Sequence, residues 1–272
     1  MIQAIISDLD GTILPRGGTI SAETIEAFQK AGQRGAHRII ATGRNLYSAL
    51  QVLPPEFPID YLVFSSGAGI VRWAERQILF ARHLSQRSAQ GIARHLWDYN
   101  INFTIQHAIP DNHHFYYTQL YPLHEDYKRR VAAYKPFGIP ISSPADIQGE
   151  ATQFVLILDA TQIRLLEEIR KGLSRYSVVR STSPIDAKAI WIEIFAKNIN
   201  KGTTCLHLLE QLRISPEHCA GIGNDYNDVD FLNLCAQSYI VQNAPEQLKP
   251  YYKSVASDRN NGFAEFVRKV FE

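Results

Sequence analysis

Two carboxylates, Asp8 and Asp10, stand two residues apart and are followed by Gly11 and Thr12. On extended chain, side chains at i and i+2 point to the same side, so the two acids converge. Like charges that close repel unless a cation or a proton sits between them. An oxygen-seeking ion such as Mg2+ is the natural partner, and Gly11 lets the backbone turn sharply away. Asp-x-Asp-Gly also opens a calcium loop, but that loop needs further oxygen ligands, and Thr12 to Thr19 contain no acid. Far along the chain, Gly223-Asn224-Asp225-Tyr226-Asn227-Asp228, with Asp230 behind it, gathers acids and amides that suit a divalent cation. Thr42-Gly43-Arg44 offers a hydroxyl and a helix start to an anion. Asn200-Lys201-Gly202-Thr203 offers a fixed ammonium. Each of these taken singly also reads as a turn or a solvated lysine; what adds weight is where the elements place them.

The run over residues 2–7 is short and nearly all apolar, as in a parallel strand covered on both faces. A helix is predicted over 21–34, with Ser21 as its cap and Gly35 as its stop. A strand over 38–41 follows, then a helix over 46–53 stopped by Pro54-Pro55, and a strand over 61–65. The pattern resumes with a helix over 201–212, a strand over 219–223, a helix over 228–235 and a strand over 238–242. Alternation of this kind implies right-handed crossovers and an open α/β sheet, which binds ligands beyond the carboxyl ends of its strands. The four polar segments all fall at those ends. The middle of the chain differs: a helix over 85–99 precedes strands over 101–107 and 113–118, and a helix over 161–173 precedes strands over 176–180 and 188–195. Short connections between strands imply an antiparallel sheet. The fold class is therefore α/β: a doubly wound, Rossmann-like parallel sheet core (1–82 and 197–272) carrying an inserted α+β domain (83–196).

Composition narrows the function classes. In 272 residues, 28 Lys plus Arg against 27 Asp plus Glu leave a formal charge of +1, which removes the electrostatic case for a nucleic-acid partner. No apolar run approaches the roughly 20 residues of a membrane span, so no membrane partner is expected. The first residues have no basic start and no long apolar core, so a signal peptide is not expected. Cys205, Cys219 and Cys235 are odd in number and lack metal-type spacing, which fits reduced thiols in a cytoplasmic protein.

In order, Asp8-Leu9-Asp10-Gly11-Thr12, Thr42-Gly43-Arg44, Lys201 and residues 223–228 resemble the four motifs of the haloacid-dehalogenase-like superfamily. The insertion between the second and third motifs matches the Cof-type branch, subfamily IIB, whose cap lies there. The resemblance implies a Mg2+-dependent phosphatase acting on a small soluble phosphomonoester, sugar-phosphate-like, through an aspartyl-phosphate. It makes Asp8 the nucleophile, Asp10 the general acid and base, and Lys201 the fixed cation. Leu9, Thr42, Gly43, Lys201 and Asn227 would hold the phosphate; Asp8, Asp10, Asn224, Asp225 and Asp228 would hold the metal. A phosphomutase is the alternative, but its cap usually falls between the first two motifs, and the about thirty residues from Asp10 to Thr42 are too few. A phosphometabolite-binding regulator without turnover is a further alternative, against which intact Asp8 and Asp10 speak.

The chain departs from the family pattern twice. The fourth motif usually reads Gly-Asp-x-x-Asn-Asp, and here Asn224 replaces the first Asp. Either its amide oxygen ligates the metal, or a local shift brings Asp225 into the shell. Where family members commonly show Asn-Gly-Ala, this chain has Ser65-Ser66-Gly67-Ala68. In the inserted domain, His107, His113, His114, His124, Phe115, Tyr116, Tyr117 and Tyr121 could line a sugar or base pocket, and Arg180, Asp186 and Lys188 are equal candidates for polar contacts. The plainer reading is a half-exposed sheet, and the histidines lack zinc spacing.

Overall fold

The opening apolar run becomes β1 (Ala4–Ser7), buried at every position. Ser21 then caps α1 (Ala22–Gln33), its hydroxyl accepting from the Thr24 N–H. β2 (His37–Ala41) follows. Asn45 caps α2 (Leu46–Leu50), which ends three residues before its predicted limit. The N–H groups of Val52 and Leu53 both fold back on the Ala49 carbonyl and close that turn. β3 (Tyr61–Phe64) leads through a single 3-10 turn into a hairpin, β4 (Gly69–Arg72) and β5 (Gln77–Ala81), which the sequence reading did not anticipate.

The computed structural model describes residues 1–120, 122–159, 161–182 and 189–272. They divide into two units, Met1–Ala81 with Asn200–Glu272, and Arg82–Ile199. The second unit contains, in order, α3 (Gln86–Asp98), β6 (Phe103–His107), β7 (Phe115–Tyr117), α4 (Glu125–Ala133), β8 (Gly138–Pro140), β9 (Ala151–Asp159), α5 (Ile163–Gly172), β10 (Ser177–Thr182) and β11 (Ala189–Phe195). Its sheet runs β10-β11-β9-β6-β7-β8, antiparallel except for the parallel β7–β8 pair. The helix–strand–strand repeat is present as α3-β6-β7 and α5-β10-β11. Between them the unforeseen β9 is a central strand. One face of this sheet is apolar: Phe103, Ile105, Phe154, Leu156, Ile192 and Ile194 pack against Ile92, Leu96, Leu166 and Ile169 of α3 and α5.

The first unit resumes with α6 (Lys201–Leu212), β12 (Cys219–Gly223), α7 (Val229–Leu234), β13 (Gln237–Val241), β14 (Lys253–Val255) and α8 (Gly262–Phe271). Its sheet order is β14-β13-β12-β1-β2-β3-β4-β5. The six strands from β14 to β3 are parallel, and β4 and β5 add an antiparallel edge. Alternate side chains serve opposite faces. Ala4, Ile6, Ile39 and Val63 pack with Cys205, Leu208, Leu209 and Phe231 on α6 and α7. On the other face α1 meets α8, where the Phe28 and Phe263 rings stack with centroids 4.1 Å apart. The strand order reverses between β1 and β12, so the crevice beyond their carboxyl ends is the topological switch point where open α/β sheets bind ligands.

Candidate active site

Asp8 leaves the end of β1 and is 4% exposed; Lys201, the first residue of α6, is 1% exposed, and Asp228 is fully buried. Lys201 Nζ donates to Asp8 Oδ1 at 2.6 Å and to Asp228 Oδ1 at 2.7 Å, with Asn227 Oδ1 at 3.4 Å. The lysine is held there by its helix start. Asn200 caps α6 by accepting from Thr203 N–H, and the Thr203 hydroxyl accepts the Asn200 N–H in return. Behind the cap, Gly67 has φ +104°, and a Cβ there would lie 2.3 Å from the Asn200 carbonyl oxygen. No other residue could close that turn against the lysine's helix.

One ammonium faces two buried carboxylates, which leaves one negative charge in excess. Burial, then the charge of Asp228, push the Asp8 carboxyl up to about 8, against the opposing pull of Lys201. Burial pulls the Lys201 ammonium down, but Asp228 and Asp8 more than reverse it, and its value is raised. The 2.6 Å ion pair describes Asp8 as charged and the upward shift describes it as protonated. Both express the same deficit of positive charge, which a second cation or a proton removes.

The other Asp8 oxygen faces the fourth motif. Thr12 Oγ1 lies 3.3 Å from Asp8 Oδ2 and 3.3 Å from Asn224 Oδ1. With its nitrogen turned inward, the Asn224 amide donates to Asp8 Oδ2 at 3.1 Å, to the Asp10 carbonyl at 3.2 Å and to Thr12 Oγ1 at 3.3 Å. With its oxygen inward, a carboxylate, a main-chain carbonyl and an amide oxygen meet with only the threonine proton among them. That hard-oxygen donor set, beside an uncompensated charge, fits Mg2+. Among the described residues no group of three or more His, Cys, Asp or Glu could hold a metal ion, so such a site depends on the carbonyl and the amide. Gly11, at φ +79°, makes room for the amide: a Cβ there would lie 2.6 Å from Asn224 Nδ2.

The remaining acids of the expected metal set are engaged elsewhere. Asp228 Oδ2 accepts the N–H groups of Asn224 and Asp225 at 2.8 and 2.9 Å, so this residue ties the fourth motif to Lys201. Asp225 Oδ1 accepts from Tyr226 N–H at 2.8 Å and starts the following turn. The Asp10 side chain is gripped from the second motif, Arg44 Nε donating to Oδ2 at 2.8 Å and Arg44 Nη2 to Oδ1 at 2.7 Å. That fork was not read from the sequence; its one visible signal was the arginine of Thr42-Gly43-Arg44.

Thr42 directly follows β2 and is buried, with its hydroxyl accepting from Arg44 N–H at 3.1 Å. Its carbonyl accepts from Ser66 N–H at 2.9 Å, and a Cβ on Gly43 would lie 3.5 Å from Ser66 Oγ, so the serine departure borders the second motif. Leu9 is fully buried, and its carbonyl accepts from Ile13 and Leu14 N–H. Asn243 Nδ2 donates to the Gly11 carbonyl at 2.7 Å while its Oδ1 accepts from Asp258 N–H at 3.0 Å. No sequence motif included it.

In the second unit, His107, His113 and His114 do cluster, with the His113–His114 centroids 4.4 Å apart and His107 4.7 Å from Tyr116. Burial, then His114, hold His107 and His113 below the usual histidine range. His124 instead caps α4, its Nδ1 accepting from Asp126 N–H. Arg180 lies in β10. Tyr121, Asp186 and Lys188 lie outside the described residues.

Residues 5–267 match the family of haloacid dehalogenase-like hydrolases, and the chain belongs to it. A 5-amino-6-(5-phospho-D-ribitylamino)uracil phosphatase of Bacillus subtilis is 24% identical over 99% of this chain and 98% of its own length. A phosphatase of the same superfamily from Bacteroides thetaiotaomicron superposes with a TM-score of 0.82 at 17% identity, over 99% of this chain and 95% of that one. A subclass IIB sugar phosphatase superposes at 0.77 with 19% identity, over 98% of each chain. The doubly wound core with its inserted α+β domain is thus the fold of these enzymes. Among the described residues no helix is long and apolar enough to cross a membrane.

Proposed function

We propose that this hydrolase is a Mg2+-dependent phosphatase that cleaves a small phosphomonoester through an aspartyl-phosphate on Asp8. The observation that carries the reading is the environment of that one carboxylate. One oxygen rests on Lys201, and the other faces Thr12, Asn224 and the Asp10 carbonyl at the switch point of the sheet. Asp8, the Asp10 carbonyl and the Asn224 amide oxygen would hold the metal. Bound there, Mg2+ would supply the positive charge that lets an anionic carboxylate approach an anionic phosphate.

In the first half-reaction an Asp8 oxygen forms a bond to phosphorus while the bond to the ester oxygen breaks, and Asp10 delivers its proton to the departing alkoxide. In the second, Asp10 takes a proton from water as that water attacks phosphorus. The acyl phosphate bond then breaks, and Asp8 and inorganic phosphate are regenerated. Lys201 keeps Asp8 oriented and offsets charge in both halves. Thr42, with backbone N–H groups near Leu9 and Gly43, binds the non-bridging oxygens, and Asn227 lies beside Lys201 at the same end. Arg44 fixes Asp10 through both oxygens. Charge separation explains why two nearby aspartates take different parts. Asp8 is buried against a lysine, and Asp10 is half-exposed against an arginine.

Three buried, unbridged cysteines support a cytoplasmic enzyme. The test is release of phosphate from a panel of phosphomonoesters with Mg2+, with Asp8→Asn as the control. Phosphate release abolished by the substitution supports the proposal. Isomerised product with little free phosphate favours a mutase, and ligand protection without turnover favours a regulator.

A further inference from the structure

The loop that leaves β1 is laced to residues 243–261 at three places. Asn243 Nδ2 donates to the Gly11 carbonyl at 2.7 Å, Arg259 Nη2 to the Arg16 carbonyl at 2.7 Å, and the Ser21 hydroxyl to Asn261 Oδ1 at 2.9 Å. The first of these bonds lies next to Asp10. Asn243 stands just past β13, at the same carboxyl end of the sheet as Asp8. Because β12 runs between β13 and β1, the Asn243 side chain bridges the end of the strand that leads into Asn224. Its amide is fixed in orientation, since Nδ2 meets a carbonyl and Oδ1 accepts from Asp258 N–H at 3.0 Å. Turned over, it would set oxygen against oxygen.

The bond falls where the loop most needs a hold. Glycine enters left-handed and ordinary backbone regions about equally readily, so the turn at Gly11, with φ +79°, does not fix itself. Around it, Ile13 and Leu14 N–H donate to the Leu9 carbonyl at 3.0 and 2.9 Å, and Gly11 N–H donates to the Leu14 carbonyl at 2.8 Å. The Gly11 carbonyl takes no part in these bonds, and its donor is Asn243. Asp8 is held independently, buried against Lys201. Asp10 lies past the strand with its side chain 44% exposed, so its placement depends on the loop.

We infer that Asn243 is a positioning residue for the general acid. By holding the Gly11 carbonyl it fixes the left-handed turn that aims Asp10 at the departing oxygen, and it acts through the backbone without touching the reacting atoms. The inference rests on the proposed phosphatase reading and deepens it. Its signature is chemical. A strongly basic leaving group needs its proton as the ester bond breaks, and a weakly basic one does not. A misplaced Asp10 therefore slows basic leaving groups most, whereas general damage to the fold slows all esters alike.

The experiment measures kcat/KM at saturating Mg2+ for phenyl phosphate and para-nitrophenyl phosphate, aryl esters of similar shape whose leaving groups differ in basicity. This constant covers the steps up to departure of the phenolate, where Asp10 acts as the acid. Asn243→Ala should lower it about tenfold for phenyl phosphate and about twofold for the nitrophenyl ester. Asn243→Asp, which keeps the acceptor for Asp258 and loses the donor to Gly11, should do the same. Arg259→Ala frees the loop at Arg16 and leaves Gly11 held, so the ratio of the two esters should stay unchanged. Asn243 is exposed, and its variants should melt within a few degrees of wild type. Equal losses on both esters in Asn243→Ala, or no loss, overturn the inference, as does an equal change of the ratio in Arg259→Ala. Asp10→Asn sets the reference and should show the same selectivity more strongly; if it slows both esters alike, the acid role of Asp10 fails and the inference falls with it. If wild type cleaves neither ester, the phosphatase reading fails, and hydrogen exchange decides whether Asn243 holds the turn. Faster exchange of Gly11 and Leu14 N–H in Asn243→Ala sustains that hold, and unchanged exchange overturns it.

Discussion

The switch point of the first unit and the polar face of the second are both buried and polar, yet they are built in opposite ways. Around Asp8 the polar side chains answer one another: Lys201 to two carboxylates, Asp228 to two backbone N–H groups, Arg44 to Asp10. What is missing there is charge. On the second unit's face neutral amides dominate: Gln106 bonds to Thr104, Gln153 donates to Glu193, and the Gln153 oxygen finds no hydrogen-bond partner among the described residues. A site that must stabilise a transition state gains from charged groups already held in place.

The contrast can be broken at its strongest point first. Asp8→Asn should reduce phosphate release by about 10³-fold or more, because it removes the nucleophile while keeping the shape; a stopped phosphate assay measures this. Lys201→Met should come next. It strands two buried like charges, with an expected loss of about 3–5 kcal/mol in stability, read by chemical denaturation.

A third prediction concerns pH. The folded value for Asp8 lies near 8, above its ordinary 3.8, so the folded state favours the protonated acid. That contribution to stability is complete below about 4 and is lost as pH rises through about 8. A metal on Asp8 displaces this proton, so the Mg2+-induced rise in melting temperature should be larger at pH 8 than at pH 6. An equal rise at both values would separate the metal from Asp8. The smallest effects belong to the fourth motif. Asn224→Asp should tighten Mg2+ binding about tenfold by adding charge to the donor set, measured as the half-saturating Mg2+ concentration. Asp225→Asn should leave that concentration within about twofold, since its carboxylate serves the turn at Tyr226.

Much of the first unit was legible because parallel strands and capped helices leave local signals. The apolar run of β1, Ser21 before α1 and Asn200 before α6 each act within a few residues of themselves. The hairpin β4–β5 was not legible, because strands of four and five residues beside a 3-10 turn carry too little periodicity. β9 is buried on both faces, so its continuous apolar run lacks the alternation that marks an antiparallel strand. At the site, Asp8 and Lys201 could be named from their motifs, whereas the roles of Asp228 and Arg44 could not. The resemblance put Asp228 in the metal set; its oxygens accept from Lys201 and from two backbone N–H groups, contacts that no motif spells out. The grip of Arg44 on Asp10 joins residues that only the pairing of β1 with β2 brings side by side.

Asn243 lies in none of the four motifs, yet it clasps the loop that carries Asp8 and Asp10 to the segment around Asp258. A substitution at position 243 would therefore leave every signature residue intact while loosening the seat of Asp10. Variant screens that weigh only the signature positions would pass such a change as silent.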